Sequence, residues 1–340
     1  MEELAIGKAG GDRPRIEDVA TLAGTSAMTV SRALRQPDKV APETLARIMA
    51  AVDRLGYVPN LAASSLASRR SGILAVLVPT IGNSIFSETV RGVADAVAAA
   101  DLNLLIGDFG YSEDTRRKLV RALVGRQPDA LVIVGAVHDE AVRMALRRQG
   151  TPVVETWELN PDPIDMVVGF SNFEAGATVA RHLVARGRRR SAFVGGLESR
   201  ARARLAGFTA AFAAAGLPPP ESEVPADLSI ASGREAFGRL IERAPDIDAI
   251  FFATDVLAVG GLLECQRRAI DVPGRIAIAG LGNLEIGRQM QPSLTTIEIP
   301  AHAMGRRAGE LILARLAKRE LPAGDRIVDL GIALLARETT

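Results

Sequence analysis

At 340 residues the chain is long for a single core and points to two or three domains, while 48% hydrophobic, 24% charged and 4% aromatic residues exclude a disordered or fibrous protein. The lone Cys265 excludes an intramolecular disulfide scaffold and a cysteine metal cluster, and no apolar run reaches the ~18 residues of a membrane span. The net charge is only +1, but residues 13–72 carry nine Lys/Arg against five Asp/Glu, a basic module ahead of a near-neutral body, which suits a nucleic-acid contact.

The first fifteen residues lack the apolar stretch of an export signal, so a cytoplasmic protein is expected. From Arg15 to about Leu55 the pattern is helical. Ile16, Val19, Ala20 and Ala23 recur at helical spacing, Asp18 favours the first turn, and Gly24 stops the helix. Thr25 or Ser26 can cap a second helix over Ala27–Leu34, which ends at Gln36-Pro37-Asp38. A third follows Pro42, turns Leu45, Ile48, Met49, Val52 and Leu55 inward, and closes at Gly56. Residues 57–72 read as a junction: a short helix after Pro59-Asn60, then an exposed Ser68-Arg69-Arg70-Ser71-Gly72 linker.

Beyond Gly72, apolar runs alternate with amphipathic stretches. Strands are expected at Leu74–Pro79, Asn103–Gly107, Ala130–Val134, Pro152–Val154, Met166–Gly169, Ala192–Gly195, Ala249–Ala253 and Ile276–Gly280. Helical patterns lie between them at Ser87–Ala99, Ala175–Arg186, Leu205–Ala215 and Ala303–Ala317. This alternation means parallel sheets covered by helices, and the strands are too many for one small sheet, so two lobes are expected.

Two short helices joined by a glycine-containing turn make a helix-turn-helix. Short or polar residues near the start of the second helix (Ala27, Met28, Thr29, Ser31 and Arg32) would let it enter a major groove. Arg32 can donate to guanine or phosphate, and Thr29 and Ser31 can hold phosphates. A three-helix bundle that touches only protein fits the helix pattern equally well.

The run IEDVATLAGTSAMTVSRALRQPDKVAPETLARIMAAVDRLGYVPNLAASSLASRRSG separates these readings, because it closely resembles the N-terminal region of the LacI/GalR family of bacterial repressors. The DVA, TVSR and GYVPN–A–SLA elements fall in register without gaps. The resemblance implies that Ala27 and Met28 help choose operator bases and that Arg32 is the recognition arginine. It carries Ile16, Ser26, Arg35, Tyr57 and Asn60 onto the DNA face. Leu66 would be the hinge leucine that wedges into the minor groove, with Ala63 on the same hinge face; such a wedge kinks the duplex and works in pairs. A homodimer on a pseudo-palindromic double-stranded operator follows.

For the body, the resemblance implies a periplasmic-binding-protein-like effector domain of two Rossmann-like parallel sheets joined by three crossovers. The expected organisation is a helix-turn-helix domain over 13–58, a hinge over 59–72 and an effector and dimerisation domain over 73–340. Crossovers near Phe170–Ser171, Pro292–Thr296 and Lys318–Pro322 would give one lobe of about 73–170 with 293–318. The other would combine 171–292 with 319–340. A small molecule between the lobes would bias one hinge angle and so change DNA affinity.

Arg204 matches the family's effector-clamping arginine; without the resemblance it reads as a solvated helix arginine beside Arg200 and Arg202. Further cleft residues are expected among Ile85, Phe86, Glu155, Trp157, Phe170, Asp255 and Asn283. Phe86 and Trp157 fit an ordinary core as well, and Asp255 could cap a helix instead. Where many sugar-responsive members carry an acid, this chain reads Gly280-Leu281-Gly282-Asn283, which favours an anionic ligand over a neutral hexose. The stretches GYSEDTRR, ELNPDPIDMVVGFSNFEAG and DVLAVGGLLECQRRAIDVP resemble the family's gluconate-utilisation repressors. Gluconate or a related sugar acid is therefore the expected effector, with Arg204 on its carboxylate. A corepressor-dependent regulator of another metabolite is the alternative within the family.

Catalysis is not expected, nor a cofactor or metal. In Gly280-Leu281-Gly282-Asn283-Leu284-Glu285 the third glycine of a dinucleotide fingerprint is Glu285, and His138, His182 and His302 are scattered. A solute-binding receptor would share the body's fold but needs an export signal and has no use for a helix-turn-helix.

Overall fold

A computed structural model of the chain describes residues 14–58, 71–82 and 84–340. The chain divides into two compact units, one ending at Ser71 and one running Gly72–Thr340.

In the first unit, α1 (Ile16–Ala23) begins where the Arg15 backbone N–H donates to the Asp18 carboxylate at 2.7 Å, and ends at Gly24 with φ +62°. That left-handed turn favours glycine because it has no Cβ. Ser26, rather than Thr25, caps α2 (Ala27–Arg35), its hydroxyl accepting the Thr29 N–H at 3.2 Å. Pro42 opens α3 (Pro42–Leu55), where its missing N–H costs nothing. The three helices meet through Val19, Ala20, Ala23, Val30, Ala33, Ile48, Ala51 and Tyr57. Met49 is exposed instead of inward. At 3.6 residues per turn it sits about 100° from the centre of the α3 stripe, whereas Ala51 sits about 60° away and takes the inner place.

The second unit holds two six-stranded sheets. The first uses β1 (Ile73–Val78), β2 (Asn103–Asp108), β3 (Ala130–Val134), β4 (Val153–Thr156), β5 (Met166–Gly169) and β11 (Ile327–Asp329), in the order β11-β5-β4-β3-β1-β2. The second uses β6 (Ser191–Val194), β7 (Glu221–Glu223), β8 (Ala249–Phe252), β9 (Ala277–Leu281), β10 (Thr295–Glu298) and β12 (Ala333–Leu335), in the order β12-β10-β9-β8-β6-β7. Strand pairs are parallel except β10 with β12. The central strands read as unbroken apolar runs because helices cover both faces.

Two expected crossovers move. Thr295, Thr296 and Ile297 pair with Ala279, Gly280 and Leu281, so residues 295–298 belong to the second sheet and the chain returns after Glu298, not within 292–296. Ile327–Asp329 pairs with Val167–Gly169, so the last passage falls at 330–332 rather than 318–322. The lobes therefore combine about 73–170 with 301–329, and 171–298 with 333–340. The physical reason is length: β10, β11 and β12 have three or four residues each, too few for a periodic signal.

Three helix pairs pack at glycines. They are α4 (Ser87–Val97) on α12 (Ala301–Leu316), α7 (Asn172–Ala185) on α8 (Ser199–Ala214), and α9 (Ile230–Arg243) on α10 (Asp255–Arg267). In each pair the backbones approach at reciprocal glycines: Gly92 with Gly305, Gly176 with Gly207, Gly233 with Gly260. A methyl at Gly176 would fall on the Arg204 carbonyl oxygen, inside van der Waals contact. Gly176→Ala must push α7 off α8, and we expect a loss of about 2–3 kcal/mol, typical of overpacking. Calorimetry should show it as a lowered unfolding temperature for the Gly72–Thr340 unit; an unchanged transition would refute the tight crossing.

Candidate functional site

In the first unit the start of α2 is its exposed edge. Met28 is 72% exposed, Ser26, Arg32 and Arg35 are exposed, and Ala27, Thr29 and Ser31 are half-buried. The Ser26 and Thr29 hydroxyls lie 2.9 Å apart, and Arg35 Nη2 donates to Ser31 Oγ at 2.8 Å. A compact polar surface thus surrounds one protruding thioether. Two residues expected on this face are drawn inward: Tyr57, 9% exposed, belongs to the core, and Ile16 packs half-buried against it. Asn60, Ala63 and Leu66 lie outside the described residues.

In the second unit a cleft of about 1050 Å³ opens between the ends of the two sheets. From the first lobe come Thr80, Tyr111 and Gly135, with Arg116 and Arg117 of α5 (Glu113–Val124). From the second come Ser199, Arg200 and Arg202 of α8, and Asp227 and Ser229 ahead of α9. Parallel strands ending at loops on the same side produce such a crevice.

None of the eight residues expected in the cleft lines it. Glu155 is buried, taking the Val137 and Ile164 N–H groups at 2.8 and 2.9 Å, and burial raises its pKa despite those bonds. Asn283 bridges Glu298 and Arg337 through its side chain. Ile85, Phe86, Trp157 and Phe170 are core; Trp157 meets Phe86 edge-on at 4.9 Å and Phe170 at 6.1 Å.

Arg204 is 3% exposed, with Nε donating to Asn172 Oδ1 at 2.8 Å and Nη1 to the Ala253 carbonyl at 2.6 Å. Burial, and secondarily Arg200, lowers its pKa to about 10, so it stays charged at neutral pH. Asn172 Nδ2 donates in turn to the Trp157 carbonyl, and the indole N–H to Thr89 Oγ1 at 3.0 Å. These bonds run from α4 of the first lobe to Ala253, just after β8, of the second. Trp157 holds φ at +71°, a region costly for a bulky side chain. Its N–H donates to Met304 Sδ, so all its polar groups are engaged.

Asp255 does not cap α10; Thr254 does. Its buried carboxylate takes the Leu284 N–H at 2.8 Å and the Thr296 hydroxyl at 2.6 Å, pinning the loop after β9 to β10. Burial raises its pKa to about 6, above the ~3.9 of an unfolded chain. The folded state therefore favours the protonated acid: the stabilising contribution is complete below about pH 4 and is lost as pH rises through about 6. We expect Asp255→Asn, with Oδ1 on Leu284 and Nδ2 donating to Thr296, to lack this dependence. Relative to the variant, the unsubstituted chain should lose about 2 kcal/mol between pH 4.5 and 7.5. Urea unfolding of both proteins at the two pH values measures this; parallel pH profiles would rule it out.

The arginines missed by sequence reasoning are Arg116 and Arg200. Their signal is weak: Arg200 and Arg204, four apart, share a face of α8, while Arg202, also at the cleft, is exposed.

Residues 15–60 match the family "Bacterial regulatory proteins, lacI family", and residues 180–340 the "Periplasmic binding protein-like domain". The chain is 40% identical over 331 residues to the HTH-type transcriptional regulator GntR of Pseudomonas aeruginosa, covering 96% of both chains. It is 33% identical over 323 residues to the regulator of that name in Escherichia coli K12, covering 95% of this chain and 97% of the relative. A crystal structure of a LacI family transcriptional regulator from Silicibacter pomeroyi superposes with a TM-score of 0.89 at 34% identity, over 96% of this chain and 99% of that one. With a helix-turn-helix ahead of a two-sheet sensor fold and full-length relatives of this identity, the chain belongs to the LacI family of bacterial regulatory proteins and is a DNA-binding transcriptional regulator, not an enzyme.

Proposed function

We propose that the chain is a cytoplasmic homodimer that represses sugar-acid utilisation genes, gluconate being the effector that releases it from a pseudo-palindromic operator. The observation that carries this reading is the cleft between the lobes, a cavity sized for a small ligand whose walls carry Glu113, Asp139, Glu198 and Asp227 as well as four arginines, with Arg117 paired to Asp139 while the buried Arg200 keeps an unpaired guanidinium nitrogen among the described residues. The kinship with regulators named GntR supports the same ligand class. On the DNA side, Ala27 and Met28 contribute to base choice and Arg32 takes a guanine or a phosphate. Ser26, Thr29, Ser31 and Arg35 form the phosphate-holding surround. Leu66 and Ala63 act in the hinge, with Asn60 beside it. Because ligand binds between the lobes, it favours one lobe angle over another, and that differential affinity is transmitted to operator binding.

A gel shift on the DNA upstream of the chain's own gene, with and without gluconate, tests the proposal. A specific complex that dissolves with gluconate is the expected result. A complex that tightens would make gluconate a corepressor, and one indifferent to millimolar gluconate would remove it as effector.

A further inference from the structure

Arg200 is 6% exposed, yet its Nη1 has no hydrogen-bond partner among the described residues. Burying an unpaired guanidinium costs several kcal/mol, so such a group calls for an anion. Its surroundings hold it in place. The guanidinium lies over the Phe86 ring at 5.7 Å, and a Cβ added to Gly135 would stand 2.9 Å from Nη1. Gly135 has φ +87° and no side chain, which leaves room beside the arginine.

Arg116 approaches the same point from the opposite lobe. Its guanidinium rests over Phe109 at 4.5 Å, and Nη2 is 3.9 Å from that same Gly135 position. Nη1 donates to the Ala136 carbonyl at 2.6 Å, while the buried Nε has no partner among the described residues. Glu113, half-exposed, reaches Nη2 at 3.3 Å and neutralises only part of the pair. Glu158 is engaged by the Ser199 hydroxyl at 2.9 Å. Two like charges therefore face each other across the cleft, and burial, with Arg200 opposite, lowers the pKa of Arg116.

We propose that Arg116 and Arg200 form a carboxylate clamp across the cleft at Gly135, and that Arg200 receives the acid group of the ligand. This rests on the sugar-acid reading and makes it specific. A carboxylate offers two oxygens to two guanidinium forks, a geometry a neutral hydroxyl cannot match. Because the forks come from different lobes, the bound carboxylate also holds the lobes together. Recognition of the acid and the change in lobe angle are thus one event.

The test is titration calorimetry on the full-length chain with D-gluconate and with sorbitol, the uncharged polyol of equal carbon number. The unsubstituted chain should bind gluconate and not sorbitol. R200Q and R116Q should each weaken gluconate binding by about 30-fold or more, the loss expected when one partner of a desolvated charge pair is removed. R200K, which keeps the charge without the fork, should fall between. Thermal unfolding and an operator gel shift establish that each variant is folded; a folded R200Q should hold operator at gluconate levels that release the unsubstituted chain. If R200Q cannot fold, the less buried R116Q carries the test. Gluconate binding unchanged in the folded variants, or sorbitol binding as tightly as gluconate, would overturn the clamp alone. No gluconate binding by the unsubstituted chain would overturn the clamp together with the sugar-acid reading.

Discussion

Arg32→Ala should abolish most operator affinity while leaving the protein as stable as before. Arg32 is exposed on α2, one turn beyond the protruding Met28, and no core residue depends on it. A base-reading arginine contributes about 1–3 kcal/mol, and a dimer on a palindrome uses it twice, so the loss is about 30-fold at the least. Two duplexes distinguish its chemistry. If Arg32 reads guanine, affinity collapses on the operator and changes little on a scrambled duplex. If it holds phosphate, both weaken together and the salt dependence flattens by about one phosphate per half-site. Fluorescence anisotropy at fixed salt gives both values. Unchanged affinity on both duplexes would remove Arg32 from the interface. A Met28 substitution should instead shift operator preference, since a thioether carries no charge for the backbone.

What the sequence makes legible follows from how each signal arises. Gly24, Pro42 and Gly56 mark backbone positions that few other residues tolerate, so the three helices of the first unit can be read nearly to the residue. The buried central strands announce themselves as apolar runs, as in Ala130–Val134. Edge strands do not: Glu221-Ser222-Glu223 is polar and mostly exposed, and it is a strand only because Ala192, Phe193 and Val194 offer their backbone to it. The cleft is harder still. An arginine on a helix has the same local pattern whether water or protein surrounds it, and Arg200 is buried because Phe86 and Gly135, over sixty residues away, come to meet it. The resemblance points to Arg204, four residues along the same face, whose Nε and Nη1 are taken by Asn172 and Ala253.

That occupation gives Arg204 a different expected behaviour from a ligand contact. Arg204→Ala leaves Asn172 Oδ1 and the Ala253 carbonyl without their donors and removes a buried side chain. A loss of about 3–5 kcal/mol is expected, the cost of breaking a buried charged network from one side. Asn172→Ala should destabilise by a similar mechanism, because it releases Arg204 Nε and the Trp157 carbonyl together. The two substitutions share one hydrogen bond, so the double variant should be more stable than the sum of the singles predicts, by about 1–3 kcal/mol. A residue that only meets ligand would give neither the loss nor the coupling in ligand-free protein. Denaturant unfolding of the four proteins without effector decides the matter, and strict additivity would reduce Arg204 to an independent contact. The chain of bonds also runs through the strained Trp157, from Thr89 of one lobe to Ala253 of the other. Arg204→Ala should therefore loosen the lobes before it unfolds either of them, and hydrogen exchange should show it first at residues 157 and 172, where the chain passes from the first lobe to the second.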